Sequence, residues 1–269
     1  MTRAFAFALG LCLLITPQLA RAASLSEVLR LDETIEIMRA EGLSYGENLA
    51  EDLFPDSSAI GWDAEVSRIY APERMVGALE AALETVPADA QETLVTFFES
   101  EVGQRIIRLE ITAREALLND AVEEASLENL RRMIVAEDPR LDQIERYSDA
   151  NDLVNENVVG ALNANYAFYQ GLREGGALPF DMSDDEILAD VWSQEDGIRT
   201  DTTEWVMSYL AMAYQPLSDD DLDAYIDIAE SEAGQALNRA LFDGFDILFK
   251  EISRDLGESA SKYLVGEDI

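Results

Sequence analysis

The sequence predicts an all-α protein, a helical bundle made of two tandem related multi-helix units, on three observations. The stretch Glu99-Ser-Glu-Val-Gly-Gln104 returns 131 positions later as Glu230-Ser-Glu-Ala-Gly-Gln235, with one Val-to-Ala change. Such internal similarity is the mark of a repeated structural unit. Apolar residues on both sides of each copy recur at steps of three and four, the period of a helix face. No stretch sustains the two-residue alternation of a half-buried strand.

The repeated stretch reads as an elbow between two helices. In the first copy Val102, Ile106, Leu109, Ala113 and Leu117 form one stripe; in the second, Leu237, Leu241, Phe245, Leu248 and Ile252 do the same. Before the elbow, Leu94, Val95, Phe97 and Phe98 match Tyr225, Ile226, Ile228 and Ala229. Ser100 and Ser231 are expected to cap the second helix, their hydroxyls accepting from an orphan amide. Glu101 and Glu232 then fall in the first turn, where the helix dipole favours a carboxylate. Gly103 and Gly234 cost about 1 kcal/mol against alanine inside a helix, so their place in both copies predicts another helix too close for a Cβ. An anion site on the same amides is the alternative, opposed by the adjacent glutamates.

The pattern aromatic-x-Ser-x-x-Gly-Gln, here within Phe97 to Gln104, resembles a bacterial family of secreted proteins known as domain of unknown function 2059. At Ile228 to Gln235 the aromatic is replaced, and Glu101 and Glu232 stand where family members often have proline. The resemblance implies an all-helical envelope protein and supplies no catalytic residues, because the family has no established activity.

Taken in order, residues 1–22 have the features of a signal peptide: Arg3, an apolar run from Ala4 to Ile15, a Pro17 break and Ala20-Arg-Ala22 before the cut. The run is too short to span a bilayer, so no transmembrane segment is expected after cleavage, and the periplasm is the expected compartment. Cys12, the single cysteine, leaves with the leader. Loss of Arg3 and Arg21 takes the basic count from 19 to 17 against 55 acids, and the net charge from −36 to −38. Such a surface repels nucleic acid and anionic lipid. At 48% hydrophobic residues the chain still has the means to bury a core.

The first helical unit is expected over 23–137. Ser24-Leu-Ser-Glu27 is a capping box for a helix ending near Gly42, followed by a short helix to Phe54 and a loop at Pro55 to Ser58. Helices at Trp62 to Tyr70 and from Pro72 follow, proline being favoured in a first turn. Pro87 precedes the elbow pair, which continues towards Val135 with an interruption at Asn119-Asp120. Residues 138–147 form a connector, and 148–269 a second unit, with a loop at Gly175 to Pro179, a capping box at Ser183 to Glu186, a helix from Trp205 to Tyr214 and the second elbow pair.

The chain contains no histidine. That excludes a Ser-His-Asp triad, an imidazole base and His-ligated zinc, and loss of Cys12 excludes a thiolate nucleophile. Phosphate-binding and dinucleotide glycine loops are absent. No catalytic residue and no cofactor is assigned. Carboxylate chemistry remains open, since a glycosidase needs only two acids across a cleft, but among 55 acids such pairs arise by chance.

Asp219, Asp221, Asp223, Asp227 and Glu230 stand at positions 1, 3, 5, 9 and 12 of a calcium loop. Ala224 occupies the position that needs glycine, and Ser218-Asp-Asp-Asp221 is by itself a well-capped helix start, so a helix is the preferred reading. Tyr166, Phe168, Tyr169, Trp192, Trp205, Tyr209 and Tyr214 form an aromatic group richer than the first unit offers, with Tyr166, Tyr169, Trp192, Trp205 and Tyr209 as the candidate groove residues. Core packing accounts for such residues, and a ligand groove between helices is the sharper alternative. The expected function is non-enzymatic binding of an unidentified envelope protein or small ligand. The alternatives are a carboxylate- or metal-dependent hydrolase and a calcium-binding protein. Nothing in the sequence fixes the oligomeric state.

Overall fold

A computed structural model describes residues 23–54, 60–178 and 182–265. The expected leader with Cys12, the loop at Pro55 to Ser58 and Pro179 lie outside the described residues. Among the described residues every regular element is a helix. The first are α1 (Leu25–Val28), α2 (Leu31–Leu53), α3 (Trp62–Ile69), α4 (Pro72–Leu83), α5 (Ala88–Glu99), α6 (Glu101–Ala116) and α7 (Asp120–Val135). Then come α8 (Arg140–Ala150), α9 (Leu153–Glu174), α10 (Asp184–Ser193), α11 (Glu195–Tyr214), α12 (Asp219–Glu230) and α13 (Glu232–Leu264). No helix among the described residues is long and apolar enough to cross a membrane.

Local chemistry sets most boundaries. Both capping boxes close: Ser24 accepts from the Glu27 amide while Glu27 accepts from the Ser24 amide, and Ser183 and Glu186 repeat the arrangement. Asn119 accepts from the Ala121 amide at 3.0 Å and starts α7. Two expected boundaries differ: α11 starts at Glu195 rather than Trp205, and α2 runs on through Gly42 and ends at Leu53. Gly42 does not stop the helix; it admits the Tyr70 ring, whose Cζ would lie 2.6 Å from an added Cβ. The actual break comes earlier, at Arg30, which has a left-handed backbone (φ 53°).

The longest helix, α13, is the axis of the bundle. It packs along α9 and also meets α3, α4, α5 and α12. Small residues bring α9 and α13 together: an added Cβ on Gly171 would strike the Arg254 carbonyl, and one on Gly257 the Phe168 carbonyl. Along α13, Leu237, Leu248, Ile252, Leu256 and Ala260 are buried. Each leucine or isoleucine so buried is worth about 1.5–3 kcal/mol over the exposed side chain. One apolar core runs from Leu25 through Ile106, Ile144 and Leu222 to Ala260, so residues from both expected units share it. A satellite cluster of Val158, Leu162, Ile187 and Val191 joins α9 to α10.

Candidate functional site

The core is not solid. A cavity of about 310 Å³ lies among α2, α5, α6, α8, α11, α12, α13 and the start of α9, with Leu94, Phe98, Ile107, Leu153 and Phe245 in its wall. Into it α6 turns an acid. Glu110 stands four residues after Ile106 and three after Ile107, both buried, so helix geometry puts its side chain on the same inward face. It is the single carboxylate in this cavity's lining, and it stays partly accessible because it faces that space.

Three tyrosines from three helices close around Glu110. Tyr214, at the end of α11, donates its hydroxyl to Glu110 Oε1 at 2.7 Å. The Tyr147 hydroxyl, from α8, lies 2.8 Å from that of Tyr225, from α12. Their rings pack edge-on or tilted, with centroids 4.8 Å apart for Tyr147–Tyr225 and 5.4 Å for Tyr147–Tyr214. The Tyr209 hydroxyl reaches the Glu110 carbonyl at 3.3 Å. Burial pushes the Glu110 carboxyl above its ordinary value, and hydrogen bonds from Tyr214 and Tyr225 oppose that rise. Burial, and then the Glu110 charge, raise Tyr209, Tyr214 and Tyr225 well above the usual phenol range, so they remain donors.

One turn beyond Glu110 on α6 is Arg114. Its Nε and Nη2 reach Glu41 Oε1 and Oε2 of α2 at 2.8 and 2.7 Å. This bidentate pair commits the guanidinium to Glu41, and among the described residues the Glu110 carboxylate is met by the Tyr214 and Tyr225 hydroxyls rather than by a cation. A second cavity of about 470 Å³ begins at Arg114 and shares Leu153, Tyr209, Phe242 and Phe245 with the first. Its far end is bounded by Glu156, Asn157 and Val159, all exposed. The two cavities adjoin along this shared lining, so the space beside Glu110 neighbours one bounded by exposed residues. Apolar walls with one oriented polar group are the usual make-up of a small-molecule site, and both volumes fall within the range of such sites.

The expected aromatic set is divided. Trp205 and Tyr209 stack with centroids 5.4 Å apart and line the outer cavity. Tyr166 and Tyr169 pack on the satellite cluster instead, where the Tyr169 hydroxyl donates to Asp190 at 2.8 Å. Trp192 is 54% exposed on α10. The elbow residues take the geometry expected of them: Ser100 and Ser231 accept from the amides of Gly103 and Gly234 at 3.0 and 3.1 Å. The close neighbour of each glycine is the last turn of the preceding helix, with Phe98 Cα 2.6 Å and Ala229 Cα 2.8 Å from an added Cβ. Each glutamine braces the joint. Gln104 Nε2 donates to the carbonyls of Val28 (2.9 Å) and Phe98 (2.8 Å), and Gln235 Nε2 to those of Ala150 (2.6 Å) and Ala229 (2.9 Å).

Asp219 to Glu230 form a continuous helix, which cannot wrap a calcium ion as a loop does. Its acids are held by other chains of contact: Asp219 by Arg140 at 2.9 Å, Asp223 by Gln143 at 2.9 Å and Glu230 by Arg146 at 2.6 Å. No group of three or more acids among the described residues is arranged to hold a metal. Sequence reading missed Glu110, Arg114, Tyr147 and Tyr225, and placed Tyr214 in the aromatic group without its carboxylate partner. A signal was present: Glu110 interrupts the apolar face of α6 at the register of Ile106 and Ile107. Comparison with family models, with curated proteins and with solved structures finds no match for this chain.

Proposed function

We propose that the protein is a non-enzymatic binding module that takes a small, largely apolar ligand into the space between its helices, in the bacterial envelope after export. The observation that carries this reading is the apolar cavity ending on Glu110, with an adjoining outer cavity bounded by exposed residues. A carboxylate hydrolase of the glycosidase kind needs two acids about 5–9.5 Å apart, and the inner cavity has one. Of its other polar groups, the Tyr214 hydroxyl is bonded to Glu110, Arg114 to Glu41, and the Tyr147 hydroxyl to Tyr225, while Thr34, Asn151 and Asn238 complete the lining.

The same proposal treats the scaffold as two related units. Its support is the matched pair of glutamine braces and two short helices, α1 and α8, each followed by a left-handed residue, Arg30 and Asp152, before a long helix. The envelope setting rests on the signal-like leader and on the elbow resemblance.

The test is titration with N-phenyl-1-naphthylamine, a neutral dye that brightens in apolar surroundings. Saturable one-to-one binding, lost in Gly160→Phe, is expected. Gly160 lines the outer cavity with nothing within 4 Å of an added Cβ, so a phenyl ring there occupies that cavity while the helix is retained. Binding unchanged by that ring would place the dye elsewhere and refute the site.

A further inference from the structure

The charges along the two cavities select among ligands. The groups lining them are Glu110 at the inner end, Arg114 between the two cavities, and Glu156 and Asp246 in the outer one. Arg114 is neutralised by its bidentate pair with Glu41, and Asp246 is met by Lys250 at 2.7 Å. Glu110 and Glu156 are left in excess, and neighbouring Asp152, Asp243 and Asp246 add to the negative field at Glu156. An anionic ligand entering this way meets one acid at the mouth and another at the end. A neutral apolar ligand leaves the Glu110 charge with tyrosine hydroxyls and no counter-charge, which is costly once water is excluded.

The inner end has a further property. The faces and edges of Tyr147, Tyr209, Tyr214, Tyr225 and Phe98 surround the space beside Glu110. Aromatic faces attract cations, most strongly when water is excluded, and aromatic enclosures with one carboxylate suit ammonium groups. Phe242, Phe245 and Leu153 then offer an apolar channel in which a tail lies.

We infer that the ligand class is an amphipathic organic cation, a substituted ammonium whose head rests against the Glu110 carboxylate within the tyrosine enclosure and whose apolar tail lies along Leu153, Phe242 and Phe245. This inference rests on the cavity being a ligand site, and it adds the charge of the ligand. The chain's net charge of −36 gives the same sign at long range, where it speeds the arrival of cations without selecting among them.

The test is calorimetric titration of the purified protein with octylammonium, octanol and octanoate, which share one tail and differ in head charge. Each is measured at low salt and at about 0.5 M salt, where loose association with surface acids is screened. Octylammonium is expected to bind at least tenfold more tightly than octanol, with octanoate weakest, and the order is expected to persist at high salt. In Glu110→Gln the preference for octylammonium over octanol should fall to within threefold while octanol binding stays. Circular dichroism checks that the variant is folded.

Equal binding of octanol and octylammonium to the wild type would overturn the cation inference and leave the ligand site standing. So would a preference that disappears in salt or survives in folded Glu110→Gln. No binding of any of the three would overturn both. If Glu110→Gln fails to fold, Gly160→Phe decides between cavity and surface: retained cation preference with the outer cavity filled would overturn the inference.

Discussion

Replacing Gly103 or Gly234 by alanine puts the elbow geometry to a quantitative test. In an ordinary helix position glycine to alanine gains about 1 kcal/mol. Here the new methyl would lie 2.6 Å from Phe98 Cα, or 2.8 Å from Ala229 Cα, with the Phe97 and Ile228 carbonyls closer still. These are backbone atoms, so no side chain can rotate away. Reaching an ordinary contact of about 3.4 Å from the Cα atoms alone requires the two helices to part by roughly 0.6–0.8 Å, and clearing the carbonyls requires more. Parting them would stretch the Ser–Gly cap and the paired glutamine hydrogen bonds.

Overpacking of this kind costs about 1–3 kcal/mol, and rigid neighbours put these sites at the upper end. For a chain of this size about 3 kcal/mol corresponds to a drop of roughly 6–12 °C in melting temperature. Gly77 is the control, because it lies in α4 with nothing within 4 Å of an added Cβ. Gly77→Ala should raise the melting temperature by about 2–4 °C. Thermal unfolding followed by circular dichroism measures all three variants. Gly103→Ala or Gly234→Ala melting with or above the wild type would refute the close-approach argument.

Three further outcomes follow from the packing and the charges. Because burial raises the Glu110 carboxyl in the folded protein, its contribution to stability is fully present below the ordinary carboxylate value and is lost as pH rises through the raised one. Urea midpoints of Glu110→Gln should therefore exceed those of the wild type most at neutral pH and converge with them in acid; the opposite trend would show that Glu110 is stabilised as an anion. The groups facing Glu110 are Tyr147, Tyr209, Tyr214, Tyr225 and Arg114, with Glu41 behind Arg114. The phenols titrate far above this window, and although burial opposes the Arg114 charge, the Glu41 pair outweighs it and keeps the guanidinium charged.

Leu248→Ala and Ile144→Ala, both fully buried in the shared core, should each cost about 2–5 kcal/mol, and the two losses should appear in one cooperative transition in denaturant titration. Ser231→Ala removes the Gly234 cap and should cost about 1 kcal/mol, read from the same titration.

Much of the fold was legible because helices announce their ends through local chemistry. The Ser24 and Ser183 boxes, Pro72, Asn119 and the two serine elbows all act within four residues of themselves, so the sequence contains both partners. Gly42 misled for the opposite reason. Its role depends on Tyr70, twenty-eight positions away, and a glycine chosen for a distant ring looks the same in sequence as a helix stop. The Arg30 break was hidden because its left-handed backbone carries no glycine or asparagine signal.

The site was harder still. Glu110 is one acid among 55, and only its register beside Ile106 and Ile107 marks it as inward-facing. The tyrosines that hold it come from α8, α11 and α12, so no spacing in the chain relates them. All five aromatics were grouped by composition; Trp205 and Tyr209, four residues apart, do stack on one face of α11, whereas Trp192 lies outward on α10.

The central claim is that the space beside Glu110 receives a ligand, and carbon-13 spectra of tyrosine-labelled protein test it at the residues concerned. The chain has nine tyrosines. Four of them, Tyr147, Tyr209, Tyr214 and Tyr225, line the inner cavity, while Tyr45 is 51% exposed and lies outside it. Addition of N-phenyl-1-naphthylamine should shift those four saturably and together, leaving Tyr45 in place. Shifts at Tyr45 or Tyr166 with the four inner signals unmoved would contradict the account.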